Sequence, residues 1–225
     1  ERKGMQNIIK HYEFADETVK VEPFGNGHIN KTFLVITEKS KQKYILQQIN
    51  TNVFKKPVEV MENIELITNH IREFAAAEAE DPSRAALEIV RTITNKTFMR
   101  IDTMFWRCYK YVEGAKTYEI IENPDMFYEV GKAIGIFQRQ LSKFPISIPD
   151  FHNTPVRFAK FVNVSNTDPH QRGIEVFNEV KFVFDRKKGM SKIVDLMRDK
   201  KIPVRVTHND TKLNNVMLDE KTHKA

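Results

Sequence analysis

The chain has 225 residues, 40% of them apolar and 29% charged, with a formal net charge of +6. Such a chain can bury a substantial core as one large domain or two small lobes, and its balance excludes a disordered or collagen-like polymer. No apolar run approaches the ~20 residues a membrane span requires, and no signal-peptide pattern opens the sequence, so a cytoplasmic location without a membrane partner is expected. The single cysteine, Cys108, excludes an internal disulfide or cysteine-rich zinc site. It lies among Trp106, Tyr109 and Tyr111, where a buried bystander is expected. The densest basic stretches, Arg186 to Lys188 and Arg198 to Arg205, are short and lack interleaved aromatics, so they read as solvated surface and no nucleic-acid partner is expected. Oligomeric state leaves no mark on the sequence.

Ile8, Ile9, Tyr12 and Phe14 suggest a short helix leading into the first strand. Val19 to Phe24, Thr32 to Thr37 and Tyr44 to Ile49 are strand-length runs of β-branched and aromatic residues separated by turn-formers. From Pro57 to Phe74, the apolar positions Val60, Met61, Ile64, Ile67, Ile71 and Phe74 recur at helical spacing, with proline suited to the first turn. Glu59 and Glu62 on that helix read as solvated, and the Ala- and Glu-rich stretch from Glu73 to Ser83 reads as a mobile connection. Leu87 to Ile93, Thr97 to Ile101 and Phe105 to Val112 bring the extended runs to six. Five of them are expected to make an antiparallel sheet and the sixth a flanking piece.

Glu113-Gly114-Ala115 breaks the pattern. The expected organisation is therefore an N-terminal lobe over residues 1–112, a hinge over 113–117 and a mainly helical lobe over 118–225. The second lobe opens with Asn123-Pro124, a cap followed by a first-turn proline, and Met126, Phe127, Val130, Ile134, Phe137 and Leu141 continue at helical spacing to about Ser142. Pro149 and Pro155 bracket a stretch read as a loop, and helices are expected over 173–185 and 191–200.

Two polar segments carry the chemistry. Gly25-Asn26-Gly27-His28-Ile29-Asn30 joins the first two strands. A glycine-rich connection lets backbone N–H groups approach phosphate oxygens, although an ordinary hairpin turn has the same composition. Roughly 180 residues later comes Thr207-His208-Asn209-Asp210-Thr211-Lys212-Leu213-Asn214-Asn215, set between apolar β-formers that read as short strands. Its H-x-D-x4-N spacing suits phosphoryl transfer, in which a carboxylate (Asp210) orients and deprotonates a hydroxyl and an amide oxygen (Asn215) holds Mg²⁺. Lys212 would neutralise charge on the transferred phosphate, while His208 would brace the loop. An Asx-rich turn bonded to its own backbone accounts for the same residues without chemistry.

The second segment resembles the catalytic loop of the aminoglycoside phosphotransferase and choline kinase superfamily. The runs G-N-G-H-I-N-K-T-F, Y-I-L-Q-Q-I-N, F-H-N-T and T-H-N-D-T-K-L-N-N-V-M resemble one branch of it, the N-acetylhexosamine 1-kinases. The resemblance implies an α+β, two-lobed protein-kinase-like fold, with ATP and Mg²⁺ as cofactors and a small-molecule sugar, N-acetylglucosamine or N-acetylgalactosamine, phosphorylated at its anomeric hydroxyl. Nucleotide would be held by Gly25, Asn26, Gly27, His28, Asn30, Thr32 and Gln47, with backbone contacts to adenine at the hinge. Gln47 departs from the protein-kinase pattern, which has a phosphate-pairing lysine there, leaving Lys31, Lys43 or His28 to supply charge. The superfamily also carries a second acidic motif beyond the catalytic loop. Asp219 and Glu220 are the only acids that follow Leu218, and both fall in an expected turn, so the sequence reads as a fragment.

Other acceptors within the superfamily, such as an aminoglycoside, choline or homoserine, are one alternative, and a non-catalytic pseudokinase is another. A sulfatase is disfavoured, since Tyr109-Lys110-Tyr111-Val112 after Cys108 does not match C-x-P-x-R.

Overall fold

The structure is a computed structural model. It describes residues 2–25, 27, 29–142, 144 and 153–225, without the side chains of Arg2, Lys3 and Val19. It divides into two compact units, Glu1–Gln140 with Lys212–Ala225, and Leu141–Thr211.

In the first unit, helix α1 (Arg2–Ile9) precedes three antiparallel strands, β1 (Thr18–Pro23), β2 (Lys31–Thr37) and β3 (Lys43–Ile49). Helix α2 (Pro57–Ala77) and the one-turn α3 (Pro82–Ala85) follow, then β4 (Met99–Ile101) and β5 (Met104–Lys110). The sheet is the expected five-stranded antiparallel one, in the order β1-β2-β3-β5-β4. Pairwise register sorts its side chains, because directly opposed residues share a face. Phe33, Val35, Tyr44, Leu46, Trp106 and Cys108 point to one face, where Ile8, Ile9 and Tyr12 close the core. The opposite face carries Thr32, Leu34, Ile45, Gln47, Arg107 and Tyr109.

The expected flanking run is 87–93. It bridges β5 at Ile89–Tyr109, where Val90 N donates to Cys108 O and Lys110 N to Glu88 O, each at 2.9 Å, beyond the part of β5 that β4 covers, and it bridges Tyr12 at Thr92. Ion pairs Arg72–Glu88 (3.4 Å) and Arg91–Glu65 fasten this run to α2. The stretch from Glu73 to Ser83 is not a loose connection: α2 continues through its alanines to Ala77, and Asp81 Oδ1 caps α3 by accepting from Ser83 N at 2.9 Å.

Residues 113–117 are tied down on several sides. Gly114 takes the left-handed conformation (φ +67°), where a side chain would be strained, and strand β6 (Ala115–Lys116) pairs with β7 (Leu218–Asp219) near the end of the chain. Arg84 donates to the Glu113 carbonyl at 3.0 Å. Helix α4 (Pro124–Gln140) starts as its sequence foretells, with Asn123 Oδ1 accepting from Met126 N at 3.0 Å. Tyr118, Met126, Val130 and Leu218 form a second buried cluster.

The other unit contains helices α5 (Thr154–Thr167), α6 (Phe177–Asp185) and α7 (Lys192–Arg198). Sequence reading places a loop where α5 begins. Asn153 Oδ1 accepts from Val156 N at 3.2 Å and Pro155 lies in the first turn, so the Asn-Thr-Pro run starts a helix. Phe151 and His152 of the F-H-N-T run lie outside the described residues. Helix α6 starts at Phe177 rather than Gly173, after a turn in which the Asp168 carboxylate accepts from the amides of Arg172 and Gly173, each at 3.0 Å. Among the described residues no helix is long and apolar enough to cross a membrane.

Candidate active site

The glycine-rich connection follows directly from the β1–β2 ladder. Phe24 N donates to Thr32 O at 2.9 Å, extending the pairing by one residue, and Gly25 then turns the chain with φ +74°. Gly25 and Gly27 are exposed, while Asn26 and His28 lie outside the described residues. Asn30 Oδ1 accepts from Asn50 N at 3.0 Å, which fastens the start of β2 to the end of β3.

Thr32 and Gln47 are brought together. They are direct partners across β2 and β3, and Gln47 Nε2 donates to Thr32 Oγ1 at 3.0 Å. The row extends to a residue that sequence reading missed, Arg107 on β5, whose Nε donates to Gln47 Oε1 at 3.0 Å. Its guanidinium lies over the Tyr109 ring, 5.2 Å from the centroid. The alternation Phe105, Arg107, Tyr109 against Trp106, Cys108 was the available signal, but it locates Arg107 beside Gln47 only once β3 is known to pair with β5. At the other end of this face, Phe24 and Tyr111 meet edge to face at 5.9 Å, with Lys43 over the Tyr111 ring at 5.2 Å.

The cations expected to help Gln47 fare differently. Lys31 shares the face of Phe33 and Val35, opposite that of Gln47. Lys43 is on the Gln47 face but four residues away along β3, about 13 Å at the usual rise per residue, and it pairs with Glu113 at 3.1 Å. His28 is not among the described residues.

The H-x-D-x4-N segment runs from one unit into the other. In the unit that ends at Thr211, residues 203–208 are irregular rather than the expected strand. Thr207 Oγ1 donates to Asn209 Oδ1 at 2.6 Å, and Asn209 adopts φ 63°, a left-handed conformation that asparagine tolerates. Asp210 is exposed. In the unit that resumes at Lys212, Leu213–Asn215 form one 3-10 turn. Leu213 and Val216 pack against the Tyr118, Met126, Val130 and Leu218 cluster, and Asn214 Nδ2 donates to Glu119 Oε2 at 3.1 Å. These anchors hold the turn while Lys212 and Asn215 stay exposed.

Asp219 is committed to its own turn. Its Oδ1 accepts from Thr222 N (2.9 Å), Thr222 Oγ1 (3.0 Å) and Lys221 N (3.1 Å), and Arg84 pairs with Oδ2 at 3.2 Å. Those bonds, the Thr222 amide foremost, hold its carboxyl below the usual range. Among the described residues no group of three His, Cys, Asp or Glu side chains is placed to hold a metal.

Comparison with known proteins adds a family. The model of the APH phosphotransferase enzyme family matches residues 20–225. Among solved structures, an aminoglycoside phosphotransferase from Alicyclobacillus acidocaldarius subsp. acidocaldarius DSM 446 is 12% identical at a TM-score of 0.47, over 87% of this chain and 53% of that one. A spectinomycin phosphotransferase solved with ADP and spectinomycin is 13% identical at a TM-score of 0.47, over 99% of this chain and 66% of that one. The chain thus spans less than two thirds of either structure's length, and likeness at this level carries no argument about its function. The family model, which takes in the glycine-rich connection, the Thr32–Gln47 pair and the whole H-x-D-x4-N segment, does: the chain belongs to the APH phosphotransferase enzyme family.

Proposed function

We propose that this chain carries the nucleotide-binding and catalytic-loop residues of an ATP-dependent small-molecule kinase that phosphorylates an N-acetylhexosamine at its anomeric hydroxyl. The observation that carries the reading is the anchoring of the loop from Lys212 to Leu218. Leu213, Val216 and Leu218 are fixed in a core, while Asp210, Lys212 and Asn215 are left at the surface. A turn serving only itself would not require apolar anchors and exposed acid, base and amide groups in such regular succession.

In this reading the nucleotide lies against the Thr32, Gln47 and Arg107 face of the sheet, beneath the glycine-rich connection, with the base toward Phe24 and Tyr111. Asp210 accepts the proton of the acceptor hydroxyl as its oxygen bonds to the γ-phosphorus; the bond from that phosphorus to the β–γ bridging oxygen breaks, and ADP departs. Lys212 offsets negative charge on the transferred group. Asn215 would hold Mg²⁺, which supplies neutralisation of the phosphate oxygens when bound. The sugar assignment rests on the resemblance of four sequence runs to the N-acetylhexosamine 1-kinases.

The full-length protein incubated with labelled ATP and a panel of acceptors tests this. Transfer to N-acetylglucosamine or N-acetylgalactosamine is expected, with the product labile to mild acid as an anomeric phosphate is. Transfer only to choline, homoserine or an aminoglycoside would remove the sugar and leave the kinase.

A second reading, a pseudokinase, is favoured by the neutral Gln47 and by the commitment of Asp219 to its turn. It predicts nucleotide binding with transfer to no acceptor.

A further inference from the structure

We propose that Arg107 supplies the phosphate-binding positive charge that Gln47 cannot, so that the cation of the nucleotide site comes from β5 rather than β3. The inference rests on the nucleotide reading above. Its basis is the row Thr32, Gln47, Arg107, three direct cross-strand partners joined by two hydrogen bonds of 3.0 Å. Gln47 is the middle member and is held from both sides: its amide nitrogen donates to Thr32 and its amide oxygen accepts from Arg107. The Gln47 side chain is thereby fixed as a bridge that orients the guanidinium.

The state of that guanidinium is what points to an anion. Arg107 is half-buried, and only its Nε is used in the Gln47 bond. Among the described residues no carboxylate lies within ion-pair distance of it, although Arg72, Arg84, Arg91 and Arg139 in the same unit each have one. Removing a cation from water without a counter-charge is unfavourable, and the Tyr109 ring beneath offsets only part of that cost. The two Nη amino groups present a planar pair of donors that matches the spacing of two phosphate oxygens, a geometry a lysine lacks. The alternatives are weaker on position: Lys31 is on the far face and Lys43 is occupied by Glu113.

Titration calorimetry of the full chain with ATP and with adenosine tests the proposal, using wild type, Arg107→Met and Arg107→Gln. Wild type is expected to bind both. Each variant is expected to lose roughly 10- to 100-fold in ATP affinity, the range for one charge-assisted hydrogen-bonded contact, with adenosine affinity unchanged. Arg107→Gln keeps a polar partner for Gln47 and carries the test if the methionine variant fails to fold. Adding Gln47→Lys to Arg107→Gln is expected to restore ATP affinity without altering that for adenosine. Equal ATP affinity in wild type and a folded variant overturns the role of Arg107 and leaves the nucleotide site standing. A wild type that binds neither compound overturns the nucleotide reading and the arginine's role with it.

Discussion

The Asp16 carboxylate clamps the β2–β3 turn through Ser40, accepting from its hydroxyl at 2.6 Å and its amide at 3.0 Å, while the Lys39 amide donates to the other oxygen at 2.9 Å. Three donors converge on one carboxylate, and the Ser40 hydroxyl is the largest cause of a pKa pulled down to about 2. A carboxyl with a lowered folded-state pKa stabilises the fold above its unfolded value and loses that contribution as pH falls through the folded one. The window runs from about 4, the ordinary aspartate value, down to about 2. Thermal melts of wild type and Asp16→Ala should therefore differ by a constant gap above pH ~5 that closes between pH ~4 and ~2. A gap that stays open at the acid end would show that the clamp does not depend on charge.

Cys108 is fully buried opposite Leu46, and burial pushes its thiol well above the usual range. Reactivity follows the thiolate, so the native protein should be inert to thiol reagents at neutral pH. One equivalent should react once the chain is unfolded in denaturant. Rapid labelling of the native protein would mean that this side of the sheet opens readily.

The contrast between that core face and the opposite one shows where sequence reading succeeds. Strands β1 to β3 and helices α2 and α4 are legible because their apolar periods and their start signals, the first-turn Pro57 and the Asn123-Pro124 cap, are local. Helix α5 was missed because Pro155 has two meanings, loop terminator and first-turn residue, and only the capping bond from Asn153 separates them. The irregular 203–208 stretch has strand composition but no partner strand among the described residues, and composition does not reveal partners. In the candidate site, Thr32 and Gln47 were legible by motif. Arg107 was not, because its place depends on a pairing 60 residues away.

The capping bond from Asn153 makes a direct test of α5. Asparagine at this position satisfies an otherwise orphaned N–H at the helix start, and replacing such a cap with alanine costs about 1 kcal/mol. Asn153→Ala should lower the denaturation midpoint accordingly and speed hydrogen exchange at the first-turn amides of α5, Val156 above all. Unchanged exchange there would mean that packing of Phe158 and Phe161 with Phe184 holds the helix without its cap.

The decisive substitution for the proposed chemistry is Asp210→Asn. The amide has nearly the shape of the carboxylate but cannot accept a proton, and Asp210 is exposed, so the fold should persist. The ATP contacts proposed above are made by Thr32, Gln47 and Arg107 and not by Asp210, so affinity measured by calorimetry should be unaltered. Removal of a general base lowers turnover by about 10²- to 10⁴-fold. The fall should appear in kcat with little change in the KM for ATP, because the lost interaction acts on the proton in flight rather than on the bound nucleotide. A variant that binds ATP normally and turns over normally would deny Asp210 the role of base, and with it the reason for the loop's spacing.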